Sequence, residues 1–359
     1  MKKIVLFAMI LILISLSSCE QKKYGVAPGE LDFQSMIQPI PTTAKFIHDS
    51  MYIWGGTMVK SHIDKKYHLF YSRWPREHGF HAWVTSSEIA HAVSDSPFGP
   101  FKFRDVALAH RGVEFWDGMY THNPTVHFFN GKYYLYYTGN FGDGEITGSQ
   151  LNWTHRNNQR IGVAIAEDPN GPWKRFDHPI IDISPDASAH DAQMVANPSV
   201  TQMPDGRFLM VYKAVARKGP QPFGGPVVHL TAIAGHPEGP FVKQNRPIFT
   251  AEDVDFPAED PYVWFQDNCY YAIVKDMDGA FTDAGRSLVL FYSLDGLDWK
   301  LANYPLVSDL NIKWANGDTQ KLYALERPQL FFENGKPVAL LCAVNETLEH
   351  SYNLQIPLK

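Results

Sequence analysis

Unlike polar side chains stand directly before prolines that recur along the chain. The pairs are His122-Asn123, Ala196-Asn197, Glu259-Asp260 and Glu326-Arg327, with Trp54-Gly55 at the corresponding place in an earlier, degenerate copy. His and Glu are suited to proton transfer, and Asn and Arg to holding a polar or anionic ligand. An Asn or Asp before Pro often only caps a turn. That explanation does not cover a His, a Glu and an Arg at equivalent positions, so the pattern predicts a shared polar pocket.

The elements that must position these residues are repeated β units. The five equivalent positions are 56, 124, 198, 261 and 328, at intervals of 68, 74, 63 and 67 residues. Each is followed by a short apolar strand, a turn such as Asn130-Gly131 and a second strand, which is the pattern of a β-hairpin. A Gly-Pro-aromatic turn follows at 99–101, 171–173 and 239–241. This all-β repeat predicts a five-bladed β-propeller with a central, funnel-shaped pocket.

Other all-β architectures fit less well. A β-sandwich would not repeat the proline and aromatic positions at this interval, and a parallel β-helix would have a much shorter one. Aromatic residues make up 14% of the chain and charged residues 19%, as expected for sheets buried between neighbouring blades. We therefore expect residues 31–359 to form one propeller domain.

Further candidates follow from the same geometry. Since inner strands converge on one face of a propeller, the ends of the second strands should surround the pocket, and Arg73, Lys213 and Lys275 would give it a cationic rim. Loops on that face add Tyr120 and His190 as groups for proton transfer. The alternative for His122 and for His190 is an ordinary structural role as a hydrogen-bonding residue. Trp54 and His81 are further candidates for ligand binding. Trp54 could stack on a sugar ring, or it could fill the interface between two blades.

The N-terminus has the pattern of an export signal. Residues 1–18 combine Lys2 and Lys3 with an apolar run too short for a membrane span. Leu16-Ser17-Ser18-Cys19 resembles the lipobox of bacterial lipoproteins, which implies lipidation of Cys19, a tether over residues 19–30 and a location in the cell envelope. Ordinary secretory cleavage is the alternative.

The fifth blade is one strand short at the C-terminus. Three strands follow Arg327, at 328–332, 338–344 and 352–358, whereas the earlier units continue to a fourth. We expect the segment 31–40 to supply the missing outer strand and so cover an exposed edge.

Several classes of function are disfavoured. The formal net charge is −6 and there is no long basic stretch, so nucleic acid is not an expected partner. Cys269 and Cys342 lie in apolar strands and should be buried free thiols. No residues have zinc-ligand spacing, and we expect neither a metal nor a cofactor.

With these motifs the chain resembles the five-bladed propeller enzymes of glycoside hydrolase families 43, 62, 32, 68, 117 and 130, over most of residues 46–359. The resemblance implies a carbohydrate ligand. It departs from the family 43 pattern, in which the first three inner strands carry two Asp and a Glu. The matching positions here are Trp54-Gly55, His122-Asn123 and Ala196-Asn197, none of which has a carboxylate. Glycoside hydrolysis normally needs a carboxyl pair.

Elimination at a uronic acid suits the residues that are present. Such a site must neutralise the sugar carboxylate, remove the C5 proton and protonate the oxygen that leaves C4. The chain is also similar to the oligosaccharide dehydratases of ulvan-degrading marine flavobacteria, which implies loss of water at the non-reducing end of an anionic oligosaccharide. In this interpretation His122 or His190 transfers the proton, and Tyr120 is the alternative group for the same role.

Other residues of the predicted pocket would bind the substrate, and two other functions fit the same residues. Asn123, Asn197, Lys213 and Arg327 would hold the carboxylate, with Asp260 and Lys275 beside them. An exo-glycosidase using Glu259, Asp260 or Glu326 is one alternative. A surface glycan-binding lipoprotein without catalytic activity is another. In each case the membrane would be contacted only through the lipid.

Overall fold

The computed structural model describes residues 27–347 and 350–359, which form five four-stranded antiparallel sheets arranged radially. Each sheet is one blade, and the innermost strands contact one another in a closed ring. The signal segment 1–18 and Cys19 lie outside the described residues. None of the helices in the described part of the chain is long and apolar enough to cross a bilayer.

The strand bounds follow the sequence repeat. In each blade the strands are given from the innermost to the outermost. Blade one contains β2 (Met51–Lys60), β3 (Tyr67–Pro75), β4 (Glu88–Ser94) and β5 (Lys102–Leu108), and blade two contains β6 (Tyr120–Phe129), β7 (Lys132–Asn140), β8 (Arg160–Ala166) and β9 (Lys174–Arg175). Blade three contains β10 (Met194–Gln202), β11 (Phe208–Val215), β12 (Val227–Ala234) and β13 (Val242–Ile248), and blade four contains β14 (Ala258–Gln266), β15 (Cys269–Asp276), β16 (Ser287–Ser293) and β17 (Lys300–Ser308). Blade five contains β20 (Ala324–Glu333), β21 (Lys336–Thr347), β22 (His350–Pro357) and, as its outer strand, β1 (Lys45–Phe46).

Short elements connect the blades. The helices are α1 (Phe33–Met36), α2 (Trp83–Ser86) and α3 (Trp153–Asn157), with 3-10 turns at Thr42–Ala44, Arg76–His78 and Phe80–Ala82; a hairpin of β18 (Asn311–Lys313) and β19 (Thr319–Lys321) precedes blade five.

The predicted hairpins are present. Asn130 and Gly131 have φ of 50° and 82°, and Asn334 and Gly335 have φ of 52° and 76°. Two successive positive φ values match the twist of antiparallel strands, and Asn and Gly adopt them at little cost. The hydrophobic cores lie between neighbouring blades. Cys269 and Cys342 are buried there as free thiols, as the sequence predicts.

The N-terminal chain closes the ring, but with a different segment from the one predicted. β1, at Lys45–Phe46, pairs with β22 as the outer strand of blade five. The expected strand 31–40 is wrong: this segment forms α1, capped by Asp32, and makes two isolated bridges, between Ile37 and Leu358 and between Ile40 and Trp314. Pro39 and Pro41 have no N–H to donate, which prevents a continuous ladder before Lys45.

All five inner strands contain the same irregularity. Their register with the second strand shifts after Trp54, His122, Ala196, Glu259 and Glu326. In each bulge the next residue is left-handed, with φ of 50° to 56° at Gly55, Asn123, Asn197, Asp260 and Arg327. Gly, Asn and Asp tolerate this conformation, and Arg327 is the exception. Because a bulge breaks the alternation of a strand, two successive side chains can face the propeller axis.

Candidate active site

A pocket of about 210 Å³ opens where the inner strands begin. All five blades supply side chains to it. They are Trp54, Trp74, Phe80 and Trp83 from blade one, His122, Asn123 and Gln159 from blade two, Asn197 and Lys213 from blade three, Glu259 and Asp260 from blade four, and Tyr323, Ala324, Glu326 and Asn345 at blade five. The predicted convergence of unlike polar residues at one axial pocket is therefore present.

The left-handed residues form the floor of this pocket. Asn123 Nδ2 donates to Asn197 Oδ1 at 2.8 Å, and Asn197 Nδ2 donates to Asp260 Oδ1 at 2.7 Å. Arg327 donates to the same Asp260 oxygen at 3.4 Å and to the Asn123 carbonyl at 3.3 Å. Asn123, Asn197 and Asp260 line the pocket from this ring, whereas Arg327 is only 1% exposed. The ring crosses the axis, so the pocket has a closed end.

Hydroxyl groups of the second strands hold two of these bulges in place. The backbone N–H of Asn123 donates to Ser72 Oγ at 2.8 Å, and that of Asn197 donates to Thr138 Oγ1 at 3.0 Å. Each hydroxyl belongs to the preceding blade. An N–H freed by a bulge is thus satisfied by a neighbouring blade rather than left unpaired in the interior.

An alternating chain of charges occupies the side of the pocket formed by blades three to five. Lys213 Nζ lies 2.8 Å from Glu259 Oε1, Lys275 Nζ lies 3.4 Å from Glu259 Oε2, and Lys275 also lies 2.7 Å from Glu326. The four side chains are no more than 18% exposed. Lys275 is therefore a link between two carboxylates and does not itself line the pocket. The cationic rim predicted from the sequence is a mixed chain of both signs.

Charge pairing separates the acidities of the two neighbouring carboxyl groups. Burial alone would raise the pKa of Glu259, but the ammonium groups of Lys213 and Lys275 outweigh it and hold that pKa well below its usual range. Burial together with the charge of Glu259 raises the pKa of Asp260 to about 6, against the opposing effect of Arg327. Glu259 is thus ionised at neutral pH, and Asp260 is the more readily protonated of the two.

His122 lies within an aromatic cage on the opposite wall. Its ring centroid is 5.1 Å from that of Trp83, 5.4 Å from Tyr120 and 5.7 Å from Trp74. Nδ1 forms a 2.8 Å hydrogen bond with Ser87 Oγ. Burial, and then the positive charges of Arg327 and Lys213, lower the pKa of His122 well below its ordinary value. The imidazole is therefore neutral at neutral pH, with the cationic groups of Arg327 and Lys213 near it.

The wall of blade one is apolar. Phe80 contacts Trp54 edge-on and Trp74 at a tilt, with ring centroids 5.7 Å apart in both pairs. Trp74 Nε1 donates to the Phe80 carbonyl at 3.1 Å, which fixes the loop that follows β3. Aromatic faces beside polar groups are suited to the apolar faces of sugar rings.

Three carboxylates of the pocket could also bind a cation. One oxygen each of Glu259, Asp260 and Glu326 lies within 4.8 Å of the other two. Oxygen ligands suit Ca²⁺ or Mg²⁺. Lys213 and Lys275 already compensate the charge of Glu259 and Glu326, which weakens the attraction for a metal. The expectation that the site uses no metal stays a prediction.

Some predicted residues lie outside the pocket. Arg73 is paired with Glu88 at 2.8 Å and lies over the ring of Phe103. The residue of β3 that pairs with Trp54 is Ser72, so the predicted position of Arg73 in the repeat is wrong by one residue. In a strand, one step reverses the direction of the side chain.

Tyr120, His81 and His190 do not line the pocket either. Tyr120 is fully buried behind His122, and its hydroxyl accepts from Gln159 at 3.3 Å. His81 is exposed in a 3-10 turn. His190 is half-buried in the loop before β10, where its neighbour Asp191 pairs with Lys243 at 2.6 Å rather than with an imidazole.

Sequence reasoning missed several residues of the pocket. Trp74, Phe80 and Gln159 come from the end of a second strand, a loop and the start of a third strand, so they share no position in the repeat. Tyr323 lies at the mouth and is 50% exposed. Its position directly before β20 is the only available signal, because residues before inner strands face this side of the propeller.

Comparisons with known proteins agree with the propeller fold. Residues 58–222 match the sequence profile of the family described as the N-terminal domain of glycosyl hydrolases family 32. A search of curated proteins finds no match. The molecule is therefore a glycoside-hydrolase-like five-bladed propeller, as the sequence resemblance implied.

Solved structures show the same fold at low sequence identity. A protein described as a glycoside hydrolase has a TM-score of 0.66 at 15% identity and covers 91% of this chain and 93% of its own. A family 117 glycoside hydrolase of the marine bacterium Zobellia galactanivorans has a TM-score of 0.60 at 18% identity, with 90% and 89% covered. An endo-arabinase of Bacteroides thetaiotaomicron has a TM-score of 0.54 at 12% identity, with 89% and 97% covered.

Proposed function

We propose that this protein is a carbohydrate-active enzyme that eliminates water from a uronic acid at the non-reducing end of an anionic, ulvan-like oligosaccharide. The observation that carries the proposal is the state of His122. It is a neutral imidazole on the wall of a closed pocket, with Lys213 and Arg327 near it. A neutral imidazole accepts a proton, and nearby cationic groups can bind the carboxylate of a substrate.

The closed end of the pocket favours action on a chain end. The ring of Asn123, Asn197, Asp260 and Arg327 blocks the axis, so a polysaccharide cannot pass through. The volume of about 210 Å³ is smaller than pockets for drug-sized ligands and suits a single sugar residue. The tryptophans of blade one would stack on that ring.

The reaction needs one group to accept a proton and another to stabilise charge. Lys213 and the side-chain amides of Asn123 and Asn197 would bind the uronate carboxylate, which acidifies the proton on C5. His122 Nε2 would take that proton while Nδ1–H donates to Ser87 Oγ. The electron pair of the C5–H bond forms the C4=C5 double bond. The C4–O bond breaks, and its oxygen leaves as water with the proton returned by the imidazolium.

Substrate binding would raise the basicity of His122 when it is needed. The charges of Lys213 and Arg327 lower its pKa in the free protein. A bound carboxylate compensates these charges and so raises the pKa of the imidazole toward the range in which proton transfer is efficient. An uncharged sugar would lack this effect.

Mass spectrometry of oligosaccharide products tests the proposal. Incubation with uronate-terminated oligosaccharides should give a chain of unchanged length that has lost one water and gained the ultraviolet absorbance of a conjugated unsaturated uronate. His122→Gln should abolish it, whereas His236→Gln, at an exposed position, should not. The same oligosaccharide with its carboxyl groups reduced should not react. A shortened chain without that absorbance contradicts the proposal.

An exo-glycosidase is a second candidate because Glu259, Asp260 and Glu326 lie so close together. Asp260, with its pKa raised to about 6, would be the acid. Its Oδ1 is occupied by Asn197 and Arg327, and Glu259 is held ionised by two lysines, which disfavours protonation of a leaving oxygen. Release of an intact, saturated sugar would establish this candidate, and binding without any product would establish a glycan-binding protein.

We also propose that the protein is anchored in the cell envelope through a lipid on Cys19. The Leu-Ser-Ser-Cys sequence after a basic and apolar leader supports this. Metabolic labelling with a fatty acid should mark the native chain. Cys19→Ser should abolish the label and release the protein from membranes, and an unlabelled, soluble native protein would contradict the anchor.

A further inference from the structure

A second polar cleft opens on the same face of the propeller as the pocket. It has a volume of about 490 Å³ and lies between the start of β8 in blade two and the loop that follows β11 in blade three. Its polar lining residues are Asn157, Asn158, Arg160, Gln193, Arg217 and Gln221. Third strands begin, and second strands end, on the face where the inner strands open the pocket, so both cavities are accessible from one side.

The cleft and the pocket share a wall. Gln159 lines the pocket and Arg160, the next residue, lines the cleft. Consecutive Cα atoms are about 3.8 Å apart, and successive side chains of an extended chain point in opposite directions. A chain whose last sugar fills the pocket therefore has to cross only the edge of β8 to reach the cleft.

The charge of the cleft is positive. Arg217 Nε donates to the Ala192 carbonyl at 3.0 Å, and no described residue bonds its two terminal nitrogens. Arg160 pairs with Asp182 at 2.5 Å at the outer edge and donates to the carbonyl groups of Asn157 and Gln159. Among the described residues that line the cleft there is no carboxylate. Two guanidinium groups at one cavity favour an anion.

The amides of the cleft are already oriented. Asn157 and Gln193 both donate to the Pro222 carbonyl, at 2.9 and 2.8 Å, and Gln221 donates to the Gln193 side chain at 2.9 Å. Among the described residues none donates to the side-chain oxygens of Asn158 and Gln221, so these oxygens can accept from hydroxyl groups. Since these side chains are fixed before binding, little conformational entropy is lost when a ligand arrives.

An aromatic platform adjoins the cleft. Phe223, in the loop that forms one wall, is 40% exposed. Arg156 is 6% exposed beneath it, with its guanidinium carbon 5.0 Å from the Phe223 ring centroid and one nitrogen 2.7 Å from the Phe223 carbonyl. Trp153 packs against the same ring, with centroids 6.0 Å apart, so the partly exposed ring is held in place beside the cleft.

We propose that this cleft is a second subsite, which binds an inner sugar of the oligosaccharide through Arg160 and Arg217 and selects sugars with an acidic substituent. The substituent is a sulfate ester or a carboxylate, since both accept two parallel hydrogen bonds from a guanidinium. The direction of the chain rests on the proposed function, whereas binding in the cleft does not require elimination.

Calorimetric titration tests the subsite without turnover. The probe is a size-fractionated set of sulfated, uronate-containing algal oligosaccharides, titrated into the His122→Gln variant with and without Arg217→Ala or Arg160→Ala. Each Arg substitution should weaken binding of tetrasaccharides by about tenfold, as expected for loss of one charge-assisted contact. It should leave disaccharides unaffected. Arg207→Ala, an exposed pair with Asp205, is the matched control.

Chemical modification of the probe separates the two anions. Desulfation that removes the effect of Arg217→Ala identifies sulfate, and carboxyl reduction that removes it identifies carboxylate. Equal affinities of the parent and both Arg variants for the tetrasaccharide would overturn the subsite. If binding shows the predicted differences but the unsubstituted protein, which keeps His122, forms no unsaturated product, the subsite stands and the proposed reaction fails.

Discussion

Ser87 Oγ and His122 Nδ1 are 2.8 Å apart, and both residues are buried. Ser87 follows α2, whereas His122 lies in β6, so a loop residue of blade one orients the imidazole of blade two. By engaging Nδ1, the hydroxyl leaves Nε2 as the nitrogen that faces the pocket. This is how a partner on one ring nitrogen determines the function of the other.

Replacement of Ser87 should therefore impair the reaction through His122. We expect Ser87→Ala to lower kcat by about 10- to 100-fold, in the range of general acid–base contributions, with little change in KM. Ser87→Thr keeps the hydroxyl and should restore most of the activity. Nitrogen NMR of labelled His122 should show an altered tautomer balance in Ser87→Ala. An unchanged spectrum and rate would contradict this role.

The pH dependence of kcat/KM should reflect the lowered pKa of His122. Because a base must be deprotonated, and because burial with Arg327 and Lys213 keeps its pKa well below 6.5, activity should persist as pH falls through 6.5. Lys213→Met removes one positive charge and should move the acid limb to higher pH, whereas Lys213→Arg should not. The position of the acid limb is read from initial rates measured at a series of pH values on either side of it.

The ion pair in the floor of the pocket should be important for stability. Asp260→Asn removes the carboxylate but leaves Arg327 buried, 3.4 Å from the substituted group. An uncompensated buried charge costs about 3–5 kcal/mol. We expect a clear fall in Tm and in the denaturant midpoint. Asp205→Asn, in an exposed pair with Arg207, should change stability by less than about 1 kcal/mol. Similar effects for both variants would contradict the assignment.

Buried His229 should make the fold sensitive to mild acid. Burial, with a smaller effect of Lys213, lowers its pKa from 6.5 to about 3. Above pH 6.5 both folded and unfolded chains carry the neutral form, and below it only the unfolded chain takes up the proton. Stability is therefore lost as pH falls from 6.5 toward 3, by about 2 kcal/mol at pH 5.

Denaturant titrations at pH 7.5 and 5 measure this loss. His229→Gln should reduce the difference in the free energy of unfolding between the two pH values, even where the substitution lowers stability at both. His236→Gln, at an exposed site, should leave the difference unchanged. An unaltered pH dependence in His229→Gln would show that other groups cause it.

The N-terminal segment should stabilise the whole ring. A chain that begins at residue 48 lacks β1 and with it the buried side chains of Phe33 and Phe46. It also exposes the edge of β22. Loss of a buried aromatic side chain costs about 3–5 kcal/mol, so the midpoint should fall sharply relative to a chain that begins at residue 27. Equal thermal midpoints would show that β1 is dispensable.

Local patterns were sufficient for the hairpins and for the number of blades. Asn130-Gly131 and Asn334-Gly335 require positive φ, which residues of these types adopt readily, so the turns could be placed from sequence. The sequence repeat did not determine which side of a strand each residue faces. The repeat predicts Arg73 at the pocket, but Ser72 is the residue of β3 that pairs with Trp54, and a shift of one residue reverses the direction of the side chain.

The sequence by itself determined the repeated all-β units, their number and the set of unlike polar residues before each inner strand, because turn chemistry and repeat spacing are local properties of the chain. Only the tertiary structure decided what those residues do. Asn123, Asn197, Asp260 and Arg327 bond to one another across the axis, and Lys213, Glu259, Lys275 and Glu326 form one charged chain. These partners are about 16 to 204 residues apart in sequence, and their contacts depend on bulges and on blade packing.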